Sequence, residues 1–280
     1  APDESGTAAA QLIKLVADLD VPHQYERSFR LSRDGIQGNR FLLTFNVRDV
    51  AGDARARILD LCDRMSIPPE ARVAAHEAFA MANCVHLGFE GDAAGMVCKL
   101  YLERAVSPEE ARRARTDGSA TLLHLAFKWS MRSSEWVTTR YRWYPGLAHD
   151  GIAARLADIY AATNEPSGLA LEVLAQATSR VAAERLQYLE VDEAENGRRS
   201  FDLNVYNAKM QVRDIQSMLF GARDRFAVRP GQFQALYDQI KGLALGHLAG
   251  GLHRNGMGFF NIYYGVVSLP YFSDRFSPEG

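Results

Sequence analysis

The chain has 280 residues, 47% of them hydrophobic, enough for a sizeable core in one large domain or two small ones. Its formal charge of -2 provides no global field to recruit nucleic acid or an anionic membrane, so any anion site has to come from local clustering. Three cysteines, Cys62, Cys84 and Cys98, form no CxxC pair and show no metal-ligand spacing, and read as buried hydrophobes of a reduced, cytoplasmic protein. No apolar run is long enough to span a bilayer, and Ala1 to Thr7 is acidic and small, without the basic start of a signal peptide.

In chain order, Ala8 to Leu19 reads as an amphipathic helix with Leu12, Leu15, Val16 and Leu19 on one stripe. Gln24 to Val47 follows as two strands around Asp34-Gly35 and Gln37-Gly38. Glu26, Ser28, Arg30 and Ser32 share one face of the first strand; Arg40, Leu42, Thr44 and Asn46 share one face of the second. Phe29, Leu31, Phe41, Leu43, Phe45 and Val47 take the opposite faces and can meet a core.

Asp53 to Met65 is a predicted helix, and Pro68-Pro69 opens another that runs to about Ala82. A second hairpin comprises Asn83 to Glu90, a turn at Glu90-Gly91-Asp92, and Met96 to Arg104. Ser107-Pro108-Glu109-Glu110 starts a helix, with Ser107 as cap and acids in the first turn. A third hairpin pairs Thr121 to Met131 with Glu135 to Tyr144. There Val137, Thr139, Tyr141 and Trp143 alternate with Thr138, Arg140, Arg142 and Tyr144, and the second set is assigned to the polar face. Two helices follow, at about Asp150 to Ala162 and Gly168 to Glu184, split at Asn164-Glu165-Pro166. Leu186 to Asp192 and Ser200 to Asn207 form a fourth hairpin around Glu195-Asn196-Gly197. Helices at Met210 to Phe220 and Pro230 to Leu245 lead to a fifth, Gly246 to Leu252 and Gly258 to Val266, around Arg254-Asn255-Gly256. Pro270 and Pro278 mark a loose tail.

A helix–hairpin–helix unit therefore recurs five times at intervals of roughly 55 residues, a repeat of architecture more than of text. Ten antiparallel strands with helices between the hairpins are best closed into a barrel, because closure removes open sheet edges. The expected fold is α+β: one domain over residues 1–280, a ten-stranded antiparallel barrel with a solvated interior and an outer ring of helices. The apolar strand faces would meet the helices and the polar faces would line the chamber.

The polar faces then bring together Glu26, Arg30, Arg40, Lys99, Tyr101, Lys128, Arg140, Arg142, Tyr144, Tyr206 and Tyr263, with Thr44, Asn46, His124, Asn204 and Asn261. Converging Arg and Lys side chains suit a polyanion such as diphosphate. Tyrosine faces stabilise a carbocation through the ring quadrupole. A carboxylate can act as general base. Together they suit ionisation of an allylic diphosphate, shielding of the cation and capture by a nucleophile. His124 reads as a structural histidine. His247 and His253 share a strand face ~20 Å apart, too far for one metal, and Gly250-Gly251 lacks the strand–loop–helix context of a phosphate loop.

The five-fold helix–strand–strand–helix order resembles the ABBA prenyltransferase barrel. Within that class the chain is similar to the cyanobactin (ribosomal peptide) prenyltransferases. The residues that carry the resemblance are the Glu26 to Arg40 spacing followed by F-L-L-T-F, V-H-L-G-F-E-G leading to M-V-C-K-L-Y, F-D-L-N-V-Y, and G-L-H-R-N-G followed by F-N-I-Y-Y. It implies Glu26 as the active-site glutamate, Arg40 and Lys99 as diphosphate ligands, and Tyr206, Tyr263 and Tyr101 as the aromatic shield. Arg30, Lys128, Arg140, Arg142 and Tyr144 enter the set by strand parity alone.

The resemblance also implies a dimethylallyl or geranyl diphosphate donor, a peptide acceptor, magnesium bound with the diphosphate rather than held by the protein, and no organic cofactor. The alternatives are a prenyltransferase of the same fold acting on a small aromatic molecule, a non-catalytic ligand-binding barrel, and two ferredoxin-like domains divided between Thr163 and Gly168.

Overall fold

The structure, a computed structural model, describes residues 4–91, 95–161, 167–193, 199–253 and 255–269. The predicted turn at Asp92, the split at Asn164-Glu165-Pro166, the Glu195-Asn196-Gly197 turn, Arg254, and the tail with Pro270 and Pro278 lie outside the described residues.

The chain opens with helix α1 (Glu4–Ala17), strand β1 (His23–Ser32), strand β2 (Gly35–Asn46), and helices α2 (Ala54–Arg64) and α3 (Pro69–Ala78). Strands β3 (Ala82–Gly91) and β4 (Met96–Arg104), helix α4 (Pro108–Asp117), and strands β5 (Thr121–Ser130) and β6 (Trp136–Trp143) follow. Helices α5 (His149–Tyr160) and α6 (Gly168–Thr178) lead to β7 (Gln187–Glu193) and β8 (Arg199–Asn204). The last elements are α7 (Gln216–Arg225), α8 (Pro230–Ile240), β9 (Leu245–Leu252) and β10 (Gly258–Leu269). Local chemistry sets several ends. Ser107 Oγ accepts from the Glu110 amide at 3.1 Å and Asp53 Oδ1 from the Ala56 amide at 3.0 Å, satisfying amides that have no partner inside the helix.

All ten strands close into one antiparallel barrel in the order β1-β10-β9-β8-β7-β6-β5-β4-β3-β2. The seam joins the first strand to the last, with Ser28 opposite Tyr263 and Arg30 opposite Asn261. The continuous ladder across β6 and β7 leaves no place for two separate ferredoxin-like sheets.

Several boundaries differ from those expected. Gln37-Gly38 lies inside β2, because the turn is completed at Arg33-Asp34 and Gly35, whose φ of +100° suits glycine. The helix expected over Met210 to Phe220 begins at Gln216, after a 3₁₀ turn, and runs on to Arg225. Tyr206 lies beyond β8, in a 3₁₀ turn at Tyr206–Ala208.

The apolar strand faces point outward against the helices and form two cores. One joins α1, α2 and α3 to β2 through β5, including Leu12, Phe45, Ile58, Leu87 and Phe127. The other joins α5 through α8 to β1 and β7 through β10, including Phe29, Leu156, Leu174, Phe201, Phe233 and Ile262. Each large side chain fully buried there contributes about 1.5–3 kcal/mol. No described helix packs closely against β6, and Arg140 and Arg142 on its outward middle are accessible to solvent. That gap in the helical cover decides which way the third hairpin faces. No described helix is long and apolar enough to cross a membrane.

Candidate active site

Alternation along the strands stacks the inward side chains in levels. The first is cationic. Arg30 on β1, Arg40 on β2, and Lys99 on β4 surround Glu90 at the end of β3. Arg40 Nη2 lies 2.5 Å from Glu90 Oε1, Lys99 Nζ bonds the same oxygen, and Arg30 Nη2 is 3.7 Å from Oε2. Asn261 Oδ1 on β10 accepts from Arg30 Nε at 2.8 Å and Arg40 Nη2 at 3.3 Å. Lys128 stands opposite Lys99 in register, so a fourth cation borders the cluster.

Glu90 is shared by Arg30, Arg40 and Lys99. Burial alone would raise Glu90, but Arg40, Lys99 and Arg30 outweigh it and hold its carboxyl well below the usual range. Lys99 is pushed down to about 8, by burial first and by Arg40 and Arg30 against the pull of Glu90. Arg40 is 3% exposed, and its Nε and Nη1 are buried without a hydrogen-bond partner. Unsatisfied donors on a buried guanidinium are costly, and an entering anion would satisfy them. Arg30, Glu90, Lys99 and Lys128 line an upper chamber of about 600 Å³ that also holds Phe259, Ala249 and Trp136, and Arg40 is buried beside Lys99.

The second level is aromatic. Tyr101, Tyr141 and Tyr263 border both the upper chamber and a lower one of about 180 Å³. Tyr101 and Tyr141 meet edge to face with centroids 5.5 Å apart, and Lys128 Nζ lies 5.7 Å from the Tyr141 ring. Ala126, opposite Tyr101 on β5, is fully buried beside these rings.

The third level is an acid–imidazole chain. Glu26 is 6% exposed, its Oε1 accepting from the Tyr206 hydroxyl and its Oε2 lying 3.1 Å from His247 Nε2. His247 Nδ1 is 3.1 Å from Asp202 Oδ1, and its ring stacks on Tyr263 at 4.7 Å. Burial alone would lower this imidazole; Glu26 and Asp202 outweigh it and hold His247 well above its ordinary value, as an imidazolium donating from both nitrogens. Gly246 makes the approach possible. A Cβ there would overlap Glu26 Oε1 and lie 2.7 Å from the Tyr206 hydroxyl.

Of the residues expected in the chamber, Glu26, Arg30, Lys99, Lys128, Tyr101, Tyr206 and Tyr263 line it, and Arg40 is buried against Lys99, Tyr101 and Tyr263. Arg140, Arg142 and Tyr144 do not. Arg140 and Arg142 are on the outer face, 40% and 44% exposed, where Arg142 Nε donates to Asp192 at 2.8 Å. Tyr144 lies outside the barrel under the Arg155 guanidinium, 3.6 Å from its ring centroid, against the second core. With no described helix packed over the middle of β6, its outer face is open to solvent, so the charges go out and Val137 and Tyr141 go in.

Sequence reasoning missed Tyr141 for that reason. It missed Glu90 by reading it only as part of a turn. His247 was considered only as a metal ligand, although its strand parity with Ala249 places it on the inward face.

A scan against protein-family models gives no match, and a search of curated proteins gives none either. Among solved structures, the chain is similar to the prenyltransferase PriB in its ternary complex with L-tryptophan and dimethylallyl thiolodiphosphate, at 12% identity and a TM-score of 0.57 over 87% of this chain and 79% of that one. It is also similar to the NotF prenyltransferase, at 13% identity and a TM-score of 0.57 over 86% and 80% of the two chains. The 6-dimethylallyltryptophan synthase from Micromonospora olivasterospora, in complex with DMASPP and Trp, matches at 10% identity and 0.55 over 86% and 81%. The chain thus has the fold of the ABBA prenyltransferase barrels.

Proposed function

We propose that this protein is a prenyltransferase that moves a dimethylallyl or geranyl group from its diphosphate to a small aromatic acceptor. The observation that carries this reading is Arg40, a buried guanidinium with two unsatisfied nitrogens, set among Lys99, Arg30 and Lys128 and one level above three tyrosines. The small aromatic acceptor is preferred to a peptide because PriB and the Micromonospora enzyme, of the same fold, hold tryptophan in their solved complexes.

In the proposed reaction Arg30, Arg40, Lys99 and Lys128 bind the diphosphate. The bond between the allylic carbon and the diphosphate oxygen breaks, and its electron pair leaves with the diphosphate, where the four cations take up the developing charge. The allyl cation sits between Tyr101, Tyr141 and Tyr263, whose ring faces stabilise it and exclude water. An electron-rich ring carbon of the acceptor attacks in the lower chamber, forming the new carbon–carbon bond. Glu26 takes the proton that ring carbon loses. His247, clamped by Asp202, keeps the Glu26 carboxylate oriented, and Tyr206 holds its other oxygen.

Magnesium carried in by the diphosphate would add charge neutralisation. The upper chamber provides no ligand set of its own for it: Glu90 is already tied to three cations, and the only group of three potential ligands among the described residues lies elsewhere.

The test incubates the purified protein with dimethylallyl or geranyl diphosphate, magnesium and a panel of tryptophan, tyrosine, tryptophan-containing cyclic dipeptides and longer cyclic and linear peptides. Mass spectrometry reads a one- or two-isoprene adduct. An adduct on the small aromatics that disappears in Glu26→Gln supports the proposal. An adduct only on the longer peptides returns the acceptor to the peptide class that the sequence resemblance implies. Tight diphosphate binding without any turnover would make the barrel a binding scaffold and end the enzymatic reading.

A further inference from the structure

At the far end of the lower chamber, three neighbouring strands bring together side chains that the proposed reaction does not use. Cys84 and His86 are two residues apart on β3 and so share its inward face. Glu103 on β4 stands opposite Cys84 in register, and His124 on β5 stands opposite Glu103. Among the described residues, Cys84, His86 and Glu103 form the only group of three whose ligand atoms lie within 4.8 Å of one another.

We propose that Cys84, His86 and Glu103 hold zinc or a similar borderline divalent cation, and that His124, which stands outside this group but 3.5 Å from Glu103, turns in as the fourth ligand of a tetrahedral site clipping β3, β4 and β5 together. The donor set is one sulfur, two nitrogens and one oxygen, all of them zinc ligands. With zinc–ligand bonds of about 2.0–2.3 Å, ligand atoms around a tetrahedral centre lie about 3.3–3.8 Å apart. Glu103 Oε2 to His124 Nδ1, at 3.5 Å, already fits, while His86 Nε2 to Glu103 Oε2, at 2.8 Å, has to open slightly.

Two further observations point to a ligand. His124 Nδ1 is buried without a hydrogen-bond partner, 3.5 Å from Glu103 Oε2. His86 Nδ1 is 2.8 Å from Thr44 Oγ1, the outer hydrogen bond that fixes the tautomer of a metal-bound histidine and leaves Nε2 to the metal.

The charges also close. Binding breaks the hydrogen bond that the Cys84 thiol donates to the Phe45 carbonyl at 3.2 Å and releases the thiol proton to solvent, so thiolate and carboxylate together balance a divalent cation. With all four positions filled by protein, the metal is structural and has no open position for substrate.

The test adds Co²⁺ alone to the chelator-treated full chain. The expected result is one equivalent per chain, with the intense visible bands of tetrahedral cobalt and a near-ultraviolet thiolate-to-cobalt band. Cys84→Ser abolishes the thiolate band, and Cys98→Ser, in the core outside the barrel, keeps it. Thr44→Val weakens binding by about 10–100-fold, the usual effect of removing an outer-shell partner. X-ray absorption on the unmutated cobalt protein reads one sulfur and three nitrogen or oxygen ligands directly, so the outcome does not depend on the variants folding. No binding, a weak octahedral spectrum without sulfur, or a thiolate band that survives in Cys84→Ser overturns the site.

Discussion

His247 Nε2 lies 3.1 Å from Glu26 Oε2, and the same ring reaches Asp202 from its other nitrogen. A carboxylate that is to accept a proton beside a carbocation needs a partner that fixes it in place. The imidazolium does this, while its ring stacks on Tyr263. Glu26→Gln keeps the shape and removes the base. It should lower kcat by about 10²–10⁴-fold while leaving the dissociation constant for the prenyl diphosphate nearly unchanged, measured by single-turnover kinetics and calorimetry.

Asp202 acts through His247 and is a positioning residue. Glu26 and Asp202 both raise the imidazole, so Asp202→Asn removes one of the two groups that keep it protonated. His247 then loses its proton at a lower pH than before, and the alkaline limb of the kcat profile should move to lower pH. A loss of rate at every pH with the limb unmoved would contradict this role.

Lys99 is pushed down to about 8, so its charge is lost as pH rises through that value. An incoming diphosphate favours the protonated form. Binding therefore takes up a proton above pH ~8, and the KM for the donor should rise from about pH 7.5 to 9 while the acceptor KM stays level. Calorimetry in buffers of different ionisation enthalpy checks the proton uptake.

Gly246 is needed for its missing side chain. A Cβ there would collide with Glu26 and Tyr206, on the inner wall where neither can retreat far. Gly246→Ala should cost at least tenfold in kcat/KM with a normal far-ultraviolet spectrum, whereas Gly242→Ala, where a Cβ meets nothing within 4 Å, should be silent.

The outward arginines give a control for the cationic level. Arg140→Ala and Arg142→Ala remove exposed ion pairs to Asp192 and should leave donor KM within about twofold. Lys128→Ala removes a charge from the chamber wall and should raise donor KM about 10–100-fold, the loss of a charge-assisted bond of about 1.5–3 kcal/mol.

Much of the fold is legible in the residues because each hairpin states its own two-residue period. Phe29, Leu31, Phe41 and Leu43 alternate with Ser28, Arg30, Arg40 and Leu42, and in the structure the first set meets helices and the second lines the barrel. Side-chain direction along a strand is a local property, so once one face is apolar and buried the other face follows. The same local parity places Glu26, Arg40, Lys99 and Tyr263 on the inward faces of their strands.

It failed on β6, where both faces carry aromatic and polar residues and only the position of the helices decides which one is wet. Sequence determined the alternation of Arg140 and Tyr141; the uncovered stretch between the two cores decided that the tyrosine faces inward. Pairings between distant strands were likewise beyond a local pattern. Glu26 and His247 are 221 positions apart and meet only because β10 closes onto β1, bringing β9 and its His247 round to the Glu26 side of the barrel. The sequence by itself determined what each strand offers to its two faces. The closure of the barrel and the placing of its helices decided which of those offers meet, since contact across the chamber is set by the geometry of ten strands together and by no one of them alone.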